Sequence, residues 1–110
     1  MTICTAAAIQ MVSSADRDQN LSACTALIEN AAQAGADLVV LPENFAFMGK
    51  HEADKLAIAE TNGNGPIQDF LAEQSAQHKL WIVGGTIPLK ADAKHVYASC
   101  MVHDENGERV

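Results

Sequence analysis

Leu38, Val39, Val40 and Leu41 form an uninterrupted apolar run that Pro42 ends, and an acid, Glu43, comes next. Four consecutive apolar residues, two of them β-branched, predict a strand covered on both faces, as in a parallel sheet packed between layers. Proline has no N–H to continue the ladder, so the residue after it should be thrown clear of the sheet at the strand's carboxyl end. In open α/β sheets ligands sit in the crevice beyond those ends, where a carboxylate is well placed for chemistry. Partial desolvation by Phe45, Phe47 and the strand end would make Glu43 a better proton acceptor. The same Pro-Glu pair also suits a helix start, with proline at the first helical position and the acid complementing the dipole. The residues alone leave both readings open.

The run has the flanks of a crossover unit. Thr2 to Met11 alternates between two faces that are both small or apolar, which predicts a strand in a sheet interior. Val12 to Asp16 is a loop offering Ser13, Ser14 and Asp16 as helix caps. Leu21, Cys24, Ile28 and Ala31 then recur at helical spacing, and Gly35 supplies a left-handed stop. Strand, helix and strand make a βαβ unit, so the first two strands should be parallel.

Beyond Glu43, Asn44 to Lys50 reads as an irregular loop at the carboxyl end of the sheet. Such loops carry binding groups, which makes Asn44, Phe45 and Phe47 candidates for shaping a pocket; packing around the loop is the other reading. His51 to Ala59 is a short helix with Leu56 and Ile58 inward and Glu52, Asp54 and Lys55 outward. Glu60 to Gly65 is turn-rich, and Pro66 opens a helix to His78 with Ile67, Phe70, Leu71 and Gln74 or Ala76 on its inner stripe. Leu80 to Leu89 gives another strand, with Gly84 and Gly85 permitting close backbone approach. A polar loop, Lys90 to His95, leads to an alternating strand, Val96 to His103, and a turn at Asp104 to Gly107 precedes one more strand.

At 110 residues the chain suits one domain and is too short for two. A formal charge of −7, without a basic run or a base-stacking stripe, argues against nucleic-acid binding. No apolar stretch reaches membrane-spanning length and no signal peptide is visible, so a cytoplasmic location is expected. Cys4, Cys24 and Cys100 are widely spaced and expected to be reduced and buried. The histidines His51, His78, His95 and His103 show no ligand spacing, so no metal site and no cofactor are expected. Gly63 and Gly65 precede a helix, but without the Gly-Lys-Ser/Thr ending of a phosphate loop the ordinary turn is the better reading.

Leu41-Pro42-Glu43-Asn44-Phe45, after a strand preceded by Ala34-Gly35-Ala36-Asp37, resembles the first catalytic block of the carbon-nitrogen hydrolase (nitrilase) superfamily. The remaining blocks are in step with it: Ala8 to Met11 at the end of the first strand, Pro66 opening a helix, Trp81 to Pro88 like the family's Gly-Gly-Thr strand, and Tyr97 to Gly107 like its following hairpin. Details such as the stretch from Leu41 to Gly49 look closest to the Nit-type amidases. The resemblance implies an α/β fold, a four-layer αββα sandwich of which residues 1–110 form the N-terminal part of a single domain. It implies Glu43 as general base of a Glu-Lys-Cys triad, with Asn44, Phe45 and Phe47 at the substrate, and with the lysine and cysteine beyond Val110. A small amide or nitrile would be the substrate, and relatives of this kind commonly form homo-oligomers when full length. Residues 1–110 alone would then be inactive and, with sheet surface uncovered, poorly soluble or loosely packed. A non-catalytic α/β ligand-binding or interaction domain of flavodoxin-like type, with Glu43 as a helix-capping acid, is the alternative.

Overall fold

The computed structural model describes residues 3–110, so Thr2, the predicted start of the first strand, lies outside the described residues. Strand β1 is Ala6–Ala8, followed by helix α1 (Arg17–Gln33) and strand β2 (Leu38–Val40). Helices α2 (Asp54–Ile58) and α3 (Pro66–His78) lead to strands β3 (Trp81–Val83), β4 (Ile87–Lys90), β5 (Val96–Ser99) and β6 (Val102–His103). The main sheet has the order β1-β2-β3-β6, with the first three strands parallel and β6 antiparallel to β3. Strands β4 and β5 form a separate antiparallel hairpin.

The two crossovers are the predicted ones. Asp16 caps α1 by accepting from the Gln19 N–H at 3.0 Å, and Gly35, at φ +90°, turns the chain out of the helix. Because right-handed crossovers advance in one direction along the sheet, α1 and α3 fall on the same face. That face carries Val39 and Ile82, both completely buried among Cys24, Ile28, Ile67, Phe70 and Leu71. The sequential order also separates this sheet from the flavodoxin type, whose strand order reverses beside its first strand.

Three expectations change. The main sheet is covered on one face only: Ala6 and Ala8 are exposed, and Val40 and Trp81 are 38% and 40% exposed on the side away from the helices. The predicted strand from Leu80 to Leu89 is two strands, because Gly84 and Gly85 bend the chain out of the main sheet and into the hairpin. Val96 to His103 divides in the same way, β5 staying with the hairpin while β6 returns to β3.

Glu60, in the segment read as turn, is an anchor. It is 5% exposed, and its carboxylate accepts from the N–H groups of Ile67 and Gln68 at 2.6 and 3.1 Å, capping α3. Its main chain meanwhile bonds Pro88 and Lys90 of β4, so one residue joins the helix to the hairpin.

His103 on β6 is 4% exposed. Burial, and then the nearby Arg109 charge, hold its imidazole below the ordinary histidine value against the opposing pull of Asp104. The unfolded chain therefore binds a proton that the folded chain refuses. Stability is complete above about pH 6.5 and is lost as pH falls from there toward the folded value. Denaturant melts between about pH 7 and pH 5 should show this slope, and His103→Asn should flatten it.

Candidate active site

Regular pairing between β2 and β3 stops at Val40 and Val83, where the Leu41 N–H still reaches the Val83 carbonyl at 2.9 Å. Pro42 offers no donor, and Gly84 and Gly85 pass opposite it. Pairing then resumes in the same register with a parallel bridge between Glu43 and Thr86. Glu43 is therefore not thrown clear of the sheet. Its main chain is stitched back to the neighbouring strand just past the proline, at the carboxyl ends of three parallel strands.

Two backbone conformations make this possible. Gly85 has φ +60°, and a Cβ there would overlap the Pro42 carbonyl oxygen and lie 2.8 Å from its carbon. Only glycine allows that approach. Asn44 has φ 55°, a left-handed conformation that asparagine tolerates better than most residues. Its N–H donates to Thr86 Oγ1 at 3.0 Å, and its carbonyl accepts from the Phe47 N–H at 3.2 Å.

The loop after Glu43 is tied to the segment after β1. Ser13 Oγ donates to the Phe45 carbonyl at 2.7 Å, and the Met48 N–H donates to the Ser14 carbonyl at 2.9 Å. Asn20, buried on α1, donates from Nδ2 to the carbonyls of Ser14 and Ala46 at 2.7 and 2.9 Å. Sequence reasoning passed over Asn20 and Thr86. An amide among the polar residues of a helix, and a hydroxyl after two glycines, carry no local mark of a partner 26 or 42 residues away.

The four predicted site residues part company here. Glu43 has an exposed side chain, so the desolvation expected from Phe45, Phe47 and the strand end is not supplied by these residues. Phe45 takes the packing alternative: it is completely buried, with its ring 6.2 Å from that of Phe70. Phe47 is half-buried. Asn44, also half-buried, lines a small cleft with Lys55, Pro88, Val96 and Tyr97.

Other reactive groups stand apart from this region. Cys24 alone of the three cysteines is buried, and burial pushes its thiol up to about 12, which keeps it un-ionised. Cys4 and Cys100 are free and exposed rather than buried as expected. Among the described residues no cluster of three or more His, Cys, Asp or Glu side chains could hold a metal ion. Nor is any described helix long and apolar enough to cross a membrane.

Residues 5–110 match the family model described as carbon-nitrogen hydrolase. The chain belongs to the carbon-nitrogen hydrolase family. Among carbon-nitrogen hydrolases it is 34% identical over 107 residues to the deaminated glutathione amidase of Synechocystis, covering 96% of this chain and 39% of that protein. It is 31% identical to the chloroplastic omega-amidase of Arabidopsis thaliana, covering 90% of this chain and 27% of the relative. The crystal structure of the Caenorhabditis elegans NitFhit protein superposes with a TM-score of 0.84 at 26% identity, covering 97% of this chain and 27% of that one. The chain thus spans about two-fifths or less of the length of these relatives. Its α/β architecture is the carbon-nitrogen hydrolase one, as the resemblance implied.

Proposed function

We propose that residues 1–110 are the amino-terminal part of an amidase that hydrolyses a non-peptide carbon–nitrogen bond in a small molecule, with Glu43 as general base. The observation that carries this reading is the position of Glu43 at the carboxyl ends of three parallel strands, in a chain of the carbon-nitrogen hydrolase family. In this reading the lysine and cysteine of a Glu-Lys-Cys triad come from beyond Val110, and residues 1–110 contribute the base alone.

The carboxylate takes the proton of the cysteine thiol, and the thiolate adds to the amide carbon to form a tetrahedral oxyanion beside the lysine. Collapse to a thioester breaks the carbon–nitrogen bond, and the proton held by Glu43 leaves with the nitrogen as ammonia. Glu43 then removes a proton from water, whose oxygen displaces the thiol and yields the acid. Asn44 and Phe47, close to the base in sequence and half-buried, are this chain's candidates for contact with the substrate, with the buried Phe45 as support.

The names of the relatives direct the substrate test to ω-amides and to deaminated glutathione. Incubating the full-length protein with each should release ammonia in step with acid, and prior alkylation of thiols with iodoacetamide should stop it. Absence of ammonia from both amides and from a simple nitrile would overturn the reading.

A further inference from the structure

We infer that Thr86 is a positioning residue for the base: its hydroxyl holds Asn44 in the left-handed conformation that aims Glu43 out of the carboxyl ends of the sheet. The inference rests on the reading of Glu43 as general base and extends it to a residue between β3 and β4.

The chain beyond Asn44 is anchored at Ser13 and Ser14, so a change in the Asn44 dihedrals is taken up in those of Glu43 and swings its Cα–Cβ bond. Asn44 sits at φ 55°, which an L-residue holds at a cost of roughly 1–2 kcal/mol unless something compensates. The compensation on this side is the hydrogen bond from the Asn44 N–H to Thr86 Oγ1, 3.0 Å long and partly buried. Without that acceptor the N–H loses its partner where water reaches it poorly, and both effects favour rotation of residue 44 toward ordinary dihedrals. The Glu43–Thr86 bridge is the adjoining main-chain tie, so the rotation would loosen it and carry Glu43 with it.

Three consecutive residues between β3 and β4 make this junction. Gly85 lacks the side chain that would meet Pro42, Gly84 lets the chain lie close against Leu71 and the Met101 carbonyl, and Thr86 supplies the acceptor for the Asn44 N–H. Threonine has the right form for it, a β-branched residue that suits the extended backbone and carries an oxygen on Cβ.

Thr86→Val preserves shape and branching while removing the acceptor. In the full-length protein it should lower kcat about 10- to 100-fold with KM changed less than about twofold, the effect of misdirecting one reacting group. Thr86→Ser keeps the oxygen and should recover most of the lost kcat. Peptide-resolved hydrogen exchange should show the Asn44 amide exchanging faster in Thr86→Val and near the wild-type rate in Thr86→Ser. Should valine prevent folding, Thr86→Ala carries the same test without the second methyl. Wild-type kcat in the valine or alanine variant, with Glu43→Gln inactive, would overturn this inference and leave the base assignment standing. An active Glu43→Gln would overturn the base assignment and this inference with it.

Discussion

Glu43→Gln should lower kcat of the full-length protein by at least ~10²–10⁴-fold while its melting midpoint stays in place. Glutamine keeps the length and planarity of the side chain but cannot accept a proton at neutral pH. In the proposed reaction the carboxylate acts twice, on the thiol and then on water, so both half-reactions suffer and no rate-limiting step escapes. The fold should not notice. Residue 43 is held through its main chain, and its side chain is exposed, where substitutions commonly change stability by less than about 0.5 kcal/mol. Turnover above about a tenth of wild type would remove Glu43 from the mechanism, since general acid–base terms are larger than that.

Gly85→Ala should do the opposite, failing in stability and turnover together. Alanine at φ +60° is strained, and its Cβ would overlap the Pro42 carbonyl oxygen while lying 2.9 Å from that of Leu41. All the atoms it meets are backbone, so no side chain can swing away. Relief requires separating the ends of β2 and β3, which opens the Glu43–Thr86 bridge and disturbs the buried layer beneath it. Strain and overpacking together predict a loss of about 2–4 kcal/mol, visible as an earlier denaturant midpoint. An unchanged midpoint would mean that the two strand ends are not in contact. The contrast with Thr86→Val is diagnostic, because that variant should move the midpoint less than Gly85→Ala does and show its main effect in kcat.

The parts of the fold legible in the sequence are those governed by local periodicity and by backbone chemistry. The apolar spacing of Leu21, Cys24, Ile28 and Ala31, the stop at Gly35 and the start at Pro66 each need only neighbouring residues to be understood, and α1 and α3 lie where these place them. Hydrophobic pattern could not separate β3 from β4, since Trp81 to Leu89 is apolar or small on both sides of the bend; the pairing partners decide it. The burial of Glu60 was hidden for a related reason. A carboxylate beside glycines reads as solvated until the helix N-terminus it caps is known to stand over it. At the candidate site, Pro42 marked the end of regular pairing, but the return of the chain to Thr86 depends on two glycines far along the sequence. Phe45 and Phe47 look alike in composition, and only the position of Phe70 makes one of them core.

The hydrogen bond that orients residue 44 joins positions 42 residues apart, across the second crossover. Contacts of such span form late, because the chain between them must already be ordered before closing the loop is favourable. During synthesis, Glu43 emerges well before Thr86. If Glu43 is the base proposed above, its competence to abstract a proton arrives together with the native topology.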